Sequence, residues 1–331
     1  MNRRISVRSA VLASVAAIAL GTTSTFAQTG PELLLKPWPK GQLVEARGDA
    51  MWLDSGHVRD GSDFQLGFYE TEGRARVYPG QRADPRFGYN LTYIDVDAEN
   101  GAVPNHLVDT SVAFGMGVLD NSGWLGGITV GVGYAAAGAF DDGNAWYGKA
   151  DFAIGRELDE TSAIGFVLDY DGNRTIYPDI PLPGFAYNKK VHDTLKMSLG
   201  FPFTSIIWTP DRAYTFDRQF TFEGKWTIPD DFEARVDYEI IKEVGLFATY
   251  GARREAFHWD ELPNAHDRLI FIQRRVEGGV IWRPTEQMTF TVSGGYAFDQ
   301  EFNVGWDTND QDRVAKPSDE PYLRMGVEIH F

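Results

Sequence analysis

The sequence contains no cysteine, which excludes several kinds of chemistry at once. Disulfide frameworks, thiolate metal sites and cysteine nucleophiles all require that residue. Long apolar runs are missing as well, because after residue 27 no stretch reaches the roughly 20 residues that a membrane helix needs. Almost no segment shows the helical spacing of apolar residues, so a helical fold is not expected.

Basic residues are scarce relative to acidic ones. The chain has 31 Lys and Arg against 47 Asp and Glu, which gives a net charge of −16. Nucleic-acid partners require a basic surface, so the chain is predicted not to bind nucleic acid.

The sequence also shows few signs of a catalytic motif. The six histidines are scattered, and none stands in a His-Glu-x-x-His arrangement or beside a serine in the manner of membrane phospholipase barrels. We therefore predict no catalytic residue, no metal site and no cofactor, and we expect that the chain is not an enzyme.

The first 27 residues have the features of a cleavable secretory signal. Arg3, Arg4 and Arg8 precede an apolar core that runs from Ala10 to Leu20. Small residues at the end of the segment predict cleavage after Ala27. Cleavage removes three of the 31 basic residues, which leaves 28 against 47 acidic ones and a net charge of −19.

The last nine residues form a strand with one apolar face. Five apolar residues alternate with polar or small ones, namely Leu323, Met325, Val327, Ile329 and Phe331. Side chains of a strand alternate between its two faces, so these five share one face. A strand that ends the chain on an aromatic residue resembles the closing strand of bacterial outer-membrane β-barrels. The resemblance implies that these residues are an assembly signal read by the barrel-assembly machinery. An edge strand of a soluble β-sandwich is compatible with this one segment as well.

The rest of the chain favours the barrel. Segments with period-two alternation recur, as in 108–118, 220–228 and 287–299, and they reach roughly the ten residues that a tilted strand needs to cross a membrane. Strands of soluble sandwiches average about five to six residues. Aromatic residues lie toward the segment ends, as in the girdles of barrels: Trp124, Tyr134, Trp146, Tyr170, Trp226, Tyr238, Trp282 and Tyr296. The predicted fold class is all-β, a closed antiparallel transmembrane β-barrel.

The barrel is predicted to be a single domain, residues 43–331, with twelve to fourteen strands. Fourteen segments can be assigned, with 193–208 as one strand and 172–192 as a long loop. Counting back from Phe331 then puts the tight turn at Pro229 on the side of the long loops, although that turn resembles the one at Pro284. One strand between residues 200 and 260 is therefore doubtful.

Residues 28–42 carry three prolines and no strand pattern. They are predicted to be a periplasmic lead-in or a small plug.

Charged residues of both signs fall on the predicted inner faces of the strands. The candidates for lining the lumen are Lys149, Asp151, Glu223, Lys225, Arg235, Asp237, Arg275, Glu277, Arg283, Arg324 and Glu328. In a water-filled pore they would set solute and ion preference. In a narrow barrel they would instead pair across the lumen and fill it.

These observations predict a protein of the outer membrane, surrounded by its lipids after removal of the signal. The expected function is passage of small solutes through a polar lumen of mixed charge. A closed barrel with a structural or surface-interaction role is the alternative. An outer-membrane hydrolase is a third, for which the neighbours His266 and Asp267 are the nearest feature.

Overall fold

A computed structural model describes Leu34, Trp38 and the ranges 42–58, 62–78, 84–99, 101, 103–138, 140, 142–211, 219–227, 231–262, 264 and 266–331. The predicted signal segment and most of 28–42 lie outside these residues. Among the residues described, no helix is long and apolar enough to cross a membrane. A 3-10 helix, Gly143–Ala145, interrupts one connection.

Strands dominate the described structure. They are β1 Val44–Leu53, β2 Gly56–His57, β3 Asp63–Arg76, β4 Arg86–Ala98, β5 His106–Asn121, β6 Trp124–Ala136, β7 Trp146–Asp159, β8 Ser162–Asp171, β9 Leu182–His192, β10 Leu195–Phe201, β11 Phe203–Trp208, β12 Phe220–Thr227, β13 Asp231–Ile241, β14 Val244–Phe257, β15 Arg268–Thr285, β16 Met288–Asp307, β17 Asp310–Ala315 and β18 Glu320–His330.

These strands form one closed antiparallel ring. The last strand, β18, pairs with both β16 and β1, and β1 pairs in turn with β3. Sixteen strands form the ring, while the short strands β2 and β17 lengthen hairpins at one rim. The amide of Phe331 donates to the Val44 carbonyl at 2.9 Å, so the two ends of the chain meet where the ring closes. The predicted fold, a single-domain closed β-barrel, is confirmed.

The strand number is sixteen, not twelve to fourteen. Both additional strands lie between Leu182 and Trp208, where the expected loop 172–192 contains β9 and the expected strand 193–208 is the hairpin of β10 and β11. Apolar alternation continues through this hairpin, so periodicity alone does not reveal its turn. Strands β12 and β13 join at the rim opposite the chain termini, as counting from Phe331 predicts.

The two rims of the barrel differ in their connections. We call the rim where Val44 and Phe331 meet the terminal end and the opposite rim the distal end. Five of the seven connections at the terminal end are two-residue turns, including 122–123, 193–194 and 286–287, and the other two, 77–85 and 209–219, are longer. Ser122 and Gly123 both have positive φ, which suits the tight turns that match strand twist. The connection from β6 to β7 and that from β8 to β9 are longer and lie at the distal end.

The strands carry an exposed apolar outer face and a buried polar inner face. On β18, Leu323 and Met325 are almost half exposed, whereas Arg324 between them is buried. Similar exposed apolar side chains occur on strands all around the ring. Tyr134 departs from the predicted aromatic girdle, because Phe140 and Trp146 pack against it and bury it completely.

Candidate functional site

The inner face of the barrel carries a set of buried ionised side chains that we call the charged network. Its members are Asp49, Glu70, Arg253, Arg275, Glu277 and Arg324. They come from five strands, β1, β3, β14, β15 and β18. A charge that is removed from water must be paired to persist, and this set is paired extensively.

Arg324 is at the centre of the charged network. Its guanidinium lies 3.0 Å from Asp49 Oδ1 and 3.3 Å from Glu277 Oε1, so one side chain joins β1 and β15. Tyr322 Oη donates to Glu277 Oε2 at 2.9 Å, which gives that carboxylate a further partner. Arg275 Nη1 contacts the Met51 sulfur at 3.7 Å.

Between the charged network and the distal end lies an apolar cluster inside the barrel. It includes Phe64, Phe68, Phe271 and Phe302, all almost fully buried. The Phe271 and Phe302 rings are 4.8 Å apart, and the Phe68 and Phe271 rings 5.5 Å, measured between centroids. Because Phe68 lies on β3 and Phe271 on β15, this cluster brings together strands that are not neighbours in the ring. Apolar side chains therefore fill the lumen beside these strands.

A second group of paired polar side chains lies on β5 to β8. Lys149 Nζ is 2.8 Å from Asp171 Oδ2, and Tyr147 Oη donates to Asp109 Oδ1 at 2.6 Å. On the neighbouring strand, the Thr129 hydroxyl donates to Asp151 at 2.7 Å. Each of these carboxylates is held by a partner from a different strand.

Contacts across the barrel close part of the distal end. The His258 amide donates to the Ala135 carbonyl at 2.9 Å, which joins the segment after β14 to β6 on the opposite side of the ring. The connection after β8 also crosses, because the Thr308 amide donates to the Thr175 carbonyl at 2.9 Å. These are backbone contacts, which do not depend on particular side chains.

On one part of the inner face the charged residues remain partly accessible. We call it the open wall; it consists of Glu223, Lys225, Glu233, Arg235, Asp237 and Glu239 on β12 and β13. These positions alternate with the exposed outer residues Trp226, Phe232 and Ile240, so they face inward. All six residues are only partly buried, and the side chains of Arg235 and Asp237 are 17% and 34% exposed, against 11% or less in the charged network. Arg235 forms bonds of 2.8 and 2.7 Å with Asp237 along one strand.

The N-terminal segment contributes two described residues to the interior. Leu34 is 1% exposed, and its carbonyl accepts a hydrogen bond from Arg86 Nη1 at 3.1 Å. The Trp38 ring lies 4.3 Å from the Arg74 guanidinium carbon, a distance typical of cation–π stacking. Both arginines belong to the terminal end of the barrel.

The structure places nine of the eleven predicted lumen residues in three different environments. Arg275, Glu277 and Arg324 belong to the charged network, and Lys149 and Asp151 to the second polar group. Four others line the open wall: Glu223, Lys225, Arg235 and Asp237. The other two, Arg283 and Glu328, are partly buried near the terminal end and belong to none of these three groups.

Sequence reasoning missed half of the charged network, namely Asp49, Glu70 and Arg253. A signal for them exists, because charged residues recur at every second position of β1, β3 and β14. Apolar alternation is weak there, since Gly48, Thr71 and Ala252 occupy outer positions, and this hides the strand faces.

No protein-family model matches the chain, and no curated protein matches its sequence. Among solved structures, it is similar to the toluene transporter TodX of Pseudomonas putida, with 12% identity, a TM-score of 0.42, and 96% of this chain and 97% of that chain covered. An outer membrane channel from Pseudomonas putida F1 matches with 12% identity and a TM-score of 0.38, over 89% and 97% of the two chains. For the outer membrane protein Omp33 of Acinetobacter baumannii the values are 8% identity, a TM-score of 0.36, and 88% and 98%. Similarity at this level does not establish a shared function.

Proposed function

We propose that the chain is an outer-membrane channel that lets small solutes pass along the open wall, with a preference for cations. A closed ring leaves no unpaired strand edge, and its outer face is apolar on strands all around the barrel. Both features suit insertion of strands into a lipid bilayer. The terminal end would then face the periplasm.

The main support for this function is the difference in side-chain exposure between the open wall and the charged network. Charged side chains on the inner face of β12 and β13 keep part of their surface accessible, whereas those of the network are at most 11% exposed. Accessible surface on an inward-facing charge implies water beside it. A polar, hydrated strip along one wall is a path that small hydrophilic solutes can follow.

The preference for cations follows from charge. The open wall contains four acidic and two basic side chains. A wall with an acidic excess raises the local concentration of cations and lowers that of anions.

A closed barrel with a structural role is the second candidate, and a specific observation favours it. The apolar cluster fills the lumen beside β1, β3 and β15, Leu34 is buried next to β4, and backbone contacts cross the distal end. If water beside the open wall does not extend from one rim to the other, no solute would pass.

Ion currents through a planar bilayer separate the two candidates. The refolded chain should give discrete conductance steps, and a salt gradient should produce a zero-current potential with the sign of a cation-preferring pore. Asp237→Asn should shift that potential toward anion preference, and Arg235→Gln should shift it the opposite way. Glu286→Gln is the matched control, because Glu286 lies in an exposed terminal turn and pairs with Lys242 at 3.3 Å. Absence of conductance steps would favour the closed barrel.

A further inference from the structure

Three side chains converge at the distal end, apart from the inner-face groups described above. Asp142 lies in the connection from β6 to β7, His258 directly follows β14, and Asp260 lies two residues further. One polar atom from each lies within 4.8 Å of the other two. Asp142 and His258 are far apart in the sequence and form no sequence motif. For this reason the sequence does not predict a metal site here.

The backbone holds His258 in position. Its amide donates to the Ala135 carbonyl at 2.9 Å, and its own carbonyl accepts from the Ala137 amide at 2.9 Å. Asp142 Oδ1 accepts from the Asn144 amide at 2.8 Å, which orients the carboxylate and leaves Oδ2 toward the imidazole. Asp142 Oδ2 and His258 Nδ1 are thus held in position by hydrogen bonds that other atoms of the same two residues form.

The first two atoms form a buried ion pair that a cation can occupy. Asp142 is only 8% exposed, its Oδ2 contacts His258 Nδ1, and within the described residues neither atom forms a further hydrogen bond. A charge removed from water persists only when it is paired. A metal ion held by the imidazole nitrogen and the carboxylate oxygen can take the place of the proton that they share in this pair.

We propose that Asp142, His258 and Asp260 bind a divalent transition-metal ion of the Zn²⁺ type. Imidazole nitrogen is a preferred ligand of zinc, copper and nickel, whereas calcium and magnesium prefer oxygen ligands alone. Tetrahedral Zn²⁺ with bonds of about 2.0–2.2 Å needs its ligand atoms roughly 3.3 Å apart. The Asp142 and His258 atoms lie closer than this and would move apart around the ion, the exposed Asp260 side chain would supply the third ligand oxygen, and water would take the fourth position.

The ion would connect two walls of the barrel. His258 and Asp260 follow β14, while Asp142 belongs to the β6–β7 connection on the opposite side of the ring. A metal ion that binds all three strengthens the backbone bridge at His258 and keeps this part of the distal mouth closed. Zn²⁺ is therefore expected to stabilise the closed arrangement.

Zinc binding to the refolded full-length barrel in detergent tests the proposal. Isothermal titration with Zn²⁺ alone should show one site per chain. His258→Gln and Asp260→Asn should each lower the affinity at least about tenfold. A shift in gel mobility on heating confirms that each variant is folded, and Asp260 is an exposed residue whose replacement does not disturb packing.

His106→Gln is the matched control. His106 Nδ1 lies 3.1 Å from Asp95 Oδ1, so it forms the same kind of pair, but no third ligand accompanies it among the described residues. This variant should bind Zn²⁺ like the wild type. Absence of zinc binding, unchanged binding in His258→Gln, or Ca²⁺ binding as tight as that of Zn²⁺ would overturn the proposal. These outcomes do not depend on conductance, so they are independent of the channel function.

Discussion

Arg253 on β14 forms a buried ion pair with Glu70 on β3, although four strands of the ring separate β14 from β3. The pair therefore connects the barrel wall across its interior instead of along the hydrogen-bonded sheet. Glu255 adds a second carboxylate 3.4 Å from the same guanidinium. Together with the apolar cluster, this contact makes one side of the lumen a packed core.

The Arg253–Glu70 pair gives a prediction about stability. Arg253→Met should destabilise the barrel by about 3–5 kcal/mol, because Glu70 is left as an uncompensated buried charge. The double variant Arg253→Met/Glu70→Leu should recover most of that loss, since it removes both charges. Urea unfolding of the refolded protein in detergent, followed by tryptophan fluorescence, measures both. Simple addition of the two single-variant losses would contradict the pairing.

The apolar cluster gives a prediction about both stability and conductance. Phe271→Ala should cost about 3–5 kcal/mol of unfolding free energy, because Phe271 is completely buried between Phe68 and Phe302. The cavity that it leaves widens the lumen, so single-channel conductance should rise. Val276→Ala on the outer face of the same strand is the control and should change neither quantity by much. Unchanged conductance in a folded Phe271→Ala barrel would show that the cluster does not limit passage.

Trp38 tests whether the segment 28–42 is a plug or only a lead-in. If it occupies the lumen, Trp38→Ala should raise solute uptake into liposomes, because it removes the stacking on Arg74 that holds the segment at the terminal end. Such a cation–π contact, once desolvated, is worth about 2 kcal/mol. Trp208→Ala, on the exposed outer face of β11, is the control. Equal uptake by the wild type and Trp38→Ala would favour the lead-in.

The role of the carboxy-terminus as an assembly signal can be separated from its role in closing the ring. Phe331→Ala keeps the backbone bonds between Phe331 and Val44, whereas deletion of Phe331 removes them. If the aromatic ring is a signal, Phe331→Ala should reduce the amount of assembled barrel in cells but refold normally in detergent. Deletion should impair both. Normal assembly of Phe331→Ala in cells would contradict the signal.

How much the sequence predicts depends on how regular the alternation is. The strand from Leu323 to Phe331 has large apolar residues at every second position, and its predicted faces are those observed. At β10 and β11 the same alternation runs through a turn at Phe201–Pro202, so two strands look like one. A period of two identifies a strand but carries no information about where the chain reverses.

The contacts between inward-facing residues of different strands could not be predicted from the sequence, for a different reason. Inward positions such as Arg275 and Glu277 follow from the faces of a single strand. The contact between Arg253 and Glu70 joins strands that are not neighbours, so it depends on how the whole ring closes. The same holds for Asp142 and His258, since a backbone bridge at the distal end brings them together.

Water and small ions should pass along the open wall, and a single-residue label can test this directly. The chain lacks cysteine, so a single introduced thiol can be modified without background. Asp237→Cys in a planar bilayer, treated with a positively charged methanethiosulfonate reagent, should lose cation current, while Leu246→Cys on the outer face of β14 should not respond. An unchanged current through modified Asp237→Cys would contradict passage along the open wall.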